Sequence, residues 1–136
     1  MALVTIASDF SIDANTAKHA SQVPDLVAGE AILAGAACYV KSDGKIWMSN
    51  GTAANAASSF VGFAARAAAA GQPITVYGPG TRMRYAASGL TPGTKLFLGT
   101  TAGRLDTAAT TGDAVGVAWA VSATDIIALA QKIYAA

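Results

Sequence analysis

Apolar and polar positions alternate over short stretches along most of this chain. The segments Ala37 to Lys41, Lys45 to Ser49, Phe60 to Ala64, Ile74 to Gly78, Arg82 to Ala86, Lys95 to Gly99, Ala114 to Val121 and Asp125 to Ala130 are brief and carry β-branched or aromatic residues. That spacing predicts strands. Turn signals stand between them. Asp43-Gly44 suits a hairpin position with φ > 0, and Gly78-Pro79-Gly80 and Pro92-Gly93 join a preset proline φ to a glycine that takes the positive one. The exception is Ala64 to Ala70, alanines around Arg66, which favour helix by propensity. Gly71-Gln72-Pro73 ends that run at once.

An internal repeat bears on this choice. Gly35, Cys38-Tyr39-Val40, Gly44-Lys45-Ile46, Phe60-Val61-Gly62-Phe63-Ala64 and Ile74-Thr75-Val76 are followed in the same order by a second set. It consists of Gly93, Leu96-Phe97-Leu98, Gly103-Arg104-Leu105, Ala114-Val115-Gly116-Val117-Ala118 and Ile126-Ile127-Ala128. The second copy continues into Trp119 and Val121, which is strand-like, so the alanine run reads as a strand end and turn. Gly62 and Gly116 fall mid-strand, where glycine marks a bulge, a bend or the close approach of another backbone. The expected fold is all-β: a compact sandwich, jelly-roll-like, or a small barrel, built from two repeated β units.

Residues 1–27 stand outside the repeat. Apart from Leu3, Val4, Ile6, Phe10, Ile12 and a few later anchors they are polar, and they read as an extended N-terminal arm ahead of a single β domain at 28–136. Ordering so many polar residues is costly, which suggests that the arm lies on a neighbouring subunit or partner, with Leu3 to Ile6 adding to a sheet edge there.

Composition narrows the function. The 136 residues carry a formal charge of +1, with 12% charged and 53% apolar. Such a chain folds, but alanine is its commonest residue and gives a thin core, so homo-oligomerisation, as a dimer or trimer, is expected. Near-neutral charge without a basic cluster argues against nucleic acid. Mean hydropathy is +0.43, yet the run Ala31 to Val40 is too short to span a bilayer, and the first residues do not resemble a signal peptide. Folding in a cytoplasm without a membrane partner is the expectation.

Candidate chemistry is sparse. His19 lies between Lys18 and Ala20 with no carboxylate, thiol or second imidazole at ligand spacing, and so reads as a surface residue. The lone Cys38 sits in an apolar stretch and reads as a buried thiol. The carboxylates are scattered and mostly flank turns. Gly44-Lys45 lacks the glycine and hydroxyl of a phosphate loop, and there is no Gly-x-Ser-x-Gly. No enzyme activity, metal or cofactor is therefore expected. Arg82 and Arg84 alternate around Met83 and, with Tyr85, form a candidate docking face, since arginine and aromatics concentrate at interface hot spots. Trp47 and Trp119 read as core or subunit contact.

Taken in order, Ala28-Gly29-Glu30-Ala31, Ser42-Asp43-Gly44-Lys45, Phe60-Val61-Gly62-Phe63-Ala64, Gly78-Pro79-Gly80 through Leu90-Thr91-Pro92-Gly93, Gly112 to Ala118 and Ala123-Thr124-Asp125-Ile126 form a recognisable set. Over residues 28 to 130 the chain resembles the small capsid-decoration, or cement, proteins of tailed bacteriophages. The resemblance implies a compact β fold that sits as an oligomer on the outer surface of the head, made in the host cytoplasm, where it locks neighbouring major capsid protein subunits without doing chemistry. Two rivals remain: a small β-barrel module binding a carbohydrate or other ligand through Trp47, Trp119, Tyr77 or Tyr85, and a phage tail or baseplate component. The partner-facing candidates are Leu3, Val4, Ile6, Phe10, Ile12, Arg82, Arg84 and Tyr85.

Overall fold

A computed structural model describes residues 2–6 and 22–134. Among these residues ten short strands form two antiparallel five-stranded sheets that pack as a β-sandwich. Sheet 1 holds β1 (Gln22–Val27), β2 (Ala37–Val40), β3 (Ile46–Met48), β4 (Gly62–Ala64) and β5 (Pro73–Tyr77) in the order β1-β5-β4-β2-β3. Sheet 2 holds β6 (Arg82–Arg84), β7 (Lys95–Leu98), β8 (Leu105–Asp106), β9 (Ala118–Ala120) and β10 (Asp125–Ala128) in the order β6-β10-β9-β7-β8. The predicted turns form where their chemistry requires. Gly44, Gly80 and Gly93 all have positive φ, and the Asp43 carboxylate accepts the Lys45 N–H at 2.9 Å inside the β2–β3 turn. The alanine run is not helical: Ala64 ends β4, and Ala68 bridges to Ile32.

Adding five to every strand number of sheet 1 yields the order of sheet 2, so each sheet is one copy of the duplicated unit. Backbone hydrogen bonds fix the equivalence. Val61 donates to Cys38 O at 2.8 Å and Val117 to Leu96 O at 2.9 Å; Ala64 donates to Ala36 O and Ala120 to Thr94 O, both at 2.9 Å. Phe63 therefore matches Trp119, and their cross-strand partners Tyr77 and Ile127 match each other. The sequence alignment of Val61 with Val115 and of Gly62 with Gly116 is two residues out of step: Val61 corresponds to Val117 and Gly62 to Ala118. A slip of two leaves every side chain on its own face, so the hydrophobic pattern cannot detect it.

Two elements differ from the sequence expectation. The predicted strand over Ala114 to Val121 shrinks to Ala118–Ala120 because the Asp113 carboxylate takes the N–H groups of Val115 and Gly116, at 3.2 and 2.9 Å, and turns the chain there. Gln22–Val27, assigned above to the arm, is an edge strand of sheet 1 paired with β5, its register interrupted between Val23 and Leu26. Pro24 has no N–H to give a ladder and fits only an edge or a bulge, which is why this segment does not read as a strand.

The chain ends tie the two units together. Leu3 bridges Asp106 beside β8 and Ile6 bridges Ala86 just beyond β6, with Val4 N–H donating to Leu105 O at 2.9 Å. Residues 2–6 thus link the two edges of sheet 2, and the sheet-edge addition expected on a neighbour is made within the chain. At the other end, Lys132 bridges Phe60 ahead of β4 in sheet 1. Sheet 1 is drawn together by a parallel bridge from Ala28 to Ile46. One core, with Cys38, Ile46, Ile74 and Val76 among many alanines, lies within the first unit. The larger core joins Phe60, Phe63 and Tyr77 of the first unit to Tyr85, Leu96, Leu98 and Ile126 of the second. Its aromatics meet edge to face, with ring centroids 5.0 Å apart for Phe60–Phe63 and 6.1 Å for Phe63–Tyr85.

Candidate functional site

Among the described residues no three His, Cys, Asp or Glu side chains come close enough to hold a metal ion. The polar groups are engaged in holding the backbone. Asp113, fully buried, accepts from Leu98 N–H at 2.8 Å as well as from the turn that follows it, and Lys132 Nζ lies 3.4 Å away. Glu30 accepts the Met48 N–H at 2.9 Å, and Asp106 accepts from Ala108. The Cys38 thiol is buried as expected and donates to Ala36 O; burial, with a smaller contribution from the Glu30 charge, pushes its pKa well up, which disfavours the reactive thiolate. A cavity of about 290 Å³ lies between residues 2–5, 87–90 and Thr107, and none of its lining residues carries a charge. His19 lies outside the described residues.

The expected interface residues do not form one surface. Leu3 is exposed, Ile6 half-buried and Val4 buried at the edge of sheet 2. Phe10 and Ile12 lie outside the described residues. Arg82 and Arg84 face outward from β6 as predicted, but Tyr85 is fully buried, and its hydroxyl accepts the Leu105 N–H at 3.2 Å. Successive residues of an extended chain point to opposite faces, so Tyr85 joins Met83 in the core and leaves the arginines outside. Trp47 is half-buried on sheet 1, where its Nε1–H donates to the Asp43 carboxylate and the Lys41 ammonium sits 4.0 Å from its ring centre.

What the structure gathers around Arg82 and Arg84 is a row that crosses four strands. Arg82 stands opposite Ile127, Ile127 opposite Trp119, and Trp119 opposite Lys95. Residues directly opposite in an antiparallel pair share a face. Burial confirms the direction: Met83, Leu96, Ala118, Ala120 and Ile126 are buried, whereas Ile127 and Trp119 are half-buried and Arg82 and Lys95 exposed. Phe97, two residues beyond Lys95, is half-buried on the same side. Asp125 balances one charge, accepting Arg82 Nε–H at 3.1 Å. Lys95, Phe97 and Ile127 are absent from the sequence-based set because their proximity to the arginines depends on strand order.

The matching face of the first unit has the opposite fate. Phe63, Tyr77 and Tyr39 occupy the places of Trp119, Ile127 and Phe97, and all three are buried, Phe63 and Tyr77 in the core shared with the second unit. Both copies therefore build a matching aromatic face; the first turns it inward, and only the second leaves it partly open to solvent. Compared with protein-family models and with curated proteins, the sequence matches none.

Proposed function

We propose that this protein is a structural component of a phage virion: a decoration protein that docks as a homo-oligomer on the outer surface of the head and stabilises contacts between major capsid subunits. The partly open aromatic face of the second unit carries the reading. A stable β-sandwich whose matching face is consumed internally retains Trp119, Ile127 and Phe97 at an outward surface, which suits attachment to another macromolecule. The resemblance of the ordered motifs over residues 28 to 130 to those of capsid-decoration proteins suggests the partner class.

The test is sedimentation of purified protein with undecorated heads of the phage whose genome carries the gene. Saturable binding at a fixed ratio to the shell subunits, with heads that withstand higher temperature, is the expected result. Binding to a defined glycan on an array, with none to heads, would favour the carbohydrate-binding alternative. Binding to isolated tails in preference to heads would move the protein to the tail or baseplate.

A further inference from the structure

We infer that the outer face of sheet 2 is the attachment surface, and that its partner is a protein surface with an apolar centre and a rim of carboxylates. The inference rests on the reading of the chain as a head-binding protein and adds the residues and the chemistry of contact.

The geometry has two parts. Trp119 and Ile127 are direct cross-strand neighbours at the centre, with Phe97 on the adjoining strand. Arg82 and Lys95 end the row on either side, and Arg84, opposite Asp125, adds a third cation. Asp125 is the one carboxylate of this patch open to solvent and already holds Arg82, since Asp106, opposite Phe97, is buried; Arg84 and Lys95 have no ion-pair partner among the described residues. An aromatic centre with a cationic fringe matches the composition of interface hot spots, where tryptophan and arginine dominate.

The charge selects among occupants. A second copy docking the same face about a two-fold axis would set Arg84 and Lys95 against their own kind, which is unfavourable. A carboxylate-bearing rim would pair with both while its apolar centre covers Trp119. Nucleic acid is the rival occupant for a face with aromatics and cations. The flanking charge here is small, and Ile127 fills the centre of the row where a stacking platform would place a ring. The first unit provides the internal precedent: its matching aromatics are covered by apolar protein.

The experiment measures binding to undecorated heads by the wild type, by Trp119→Ser, and by the double variant Arg84→Glu/Lys95→Glu. Val115→Ser and Ile133→Ser serve as controls at exposed apolar positions outside the row. Circular dichroism and thermal melting of each variant establish that the sandwich is intact. In a Trp47→Phe background Trp119 is the only tryptophan, so its emission reports burial of the face directly. Trp119→Ser and the double charge reversal are each expected to weaken binding about tenfold or more, with controls unchanged. Trp119 emission should shift to the blue on docking, and added salt should weaken the wild type more than the double variant. Folded variants that bind as tightly as the wild type, or a Trp119 emission unmoved by docking, overturn the assignment of the face while leaving head binding intact. Displacement of heads by a short single-stranded oligonucleotide that quenches Trp119 overturns the protein partner in favour of nucleic acid. A wild type that ignores the heads overturns the functional reading and this inference with it.

Discussion

Phe60 and Lys132 exchange backbone hydrogen bonds, Phe60 N–H to Lys132 O at 2.7 Å and Lys132 N–H to Phe60 O at 2.8 Å. The C-terminal segment is thus attached to the first unit, as the N-terminal segment is attached to the second through Leu3 and Ile6. Each unit is held by the chain end that adjoins the other, so separating the units requires detaching both ends.

Truncation tests this crossed arrangement. Removing residues 1–6 exposes the site of Val4, which is 8% exposed, and deletes its hydrogen bond to Leu105. Burial of such a side chain is worth roughly 1.5–3 kcal/mol and a hydrogen bond about 1. A loss of about 2–4 kcal/mol in urea denaturation is expected, with a single cooperative transition retained. An unchanged midpoint would show that the segment is a dispensable tail.

Gly62 and Gly116 separate two reasons for a glycine. A Cβ at Gly62 would lie 2.5 Å from the Tyr77 carbonyl oxygen, so backbone blocks it, whereas Gly116 has φ 97° and meets the flexible Lys95 stem. Gly62→Ala should cost about 1–3 kcal/mol by overpacking between β4 and β5. Gly116→Ala should cost about 1–2 kcal/mol from its left-handed backbone, and its loss should persist when Lys95 is also shortened to Ala. Urea midpoints of the two single variants and of Gly116→Ala/Lys95→Ala check both statements.

The same two glycines mark where the sequence stops being informative. Local chemistry announced the Asp43-Gly44, Gly78-Pro79-Gly80 and Pro92-Gly93 turns, and alternation announced the strands and the duplication. Register and strand order arise from pairing at long range, so the two-residue slip between the copies stayed hidden, as did the edge strand that contains Pro24. The Arg82-to-Lys95 row is invisible for the same reason: its members come from four strands that become neighbours only through the order β6-β10-β9-β7. Arg82 and Arg84 were legible because they alternate within one strand, and the alternation that exposes them is what buries Tyr85.

Asp113 is expected to be the most sensitive carboxylate. Asp113→Ala leaves the N–H groups of Leu98, Val115 and Gly116 without their acceptor and removes the ion pair with Lys132. The buried donors Leu98 N–H and Gly116 N–H each cost about 1–3 kcal/mol when left unsatisfied, so a loss of at least about 2 kcal/mol should appear in denaturation. Asp113→Asn keeps one oxygen, which can serve either the turn or Leu98 while the NH₂ faces the other. It should fall between wild type and alanine. Equal losses for the two variants would show that the charge toward Lys132 matters more than the acceptors.

Alkaline pH should unfold the protein through two groups held neutral in the cores. Burial raises the Tyr85 phenol well above its ordinary value, and it outweighs the opposing effects of the Leu105 N–H and the Arg104 charge. Burial likewise raises the Cys38 thiol, with Glu30 adding to the shift. Both folded pKa values exceed the unfolded ones, so the neutral form is favoured in the fold. Their stabilising contribution is complete below the unfolded pKa and declines as pH rises toward the folded value. The unfolded chain releases its protons first, near pH 8.5 for cysteine and about 10 for tyrosine, and each group then removes about 1.4 kcal/mol per pH unit. Stability from urea denaturation should therefore be flat with respect to these groups near neutrality and fall with increasing slope above about pH 9. Cys38→Ala should delay the onset to the tyrosine range, at the cost of some packing at neutral pH. A Cys38→Ala protein with the same alkaline profile as the wild type would show that the thiol is not protected by burial, and that the decline belongs to other groups.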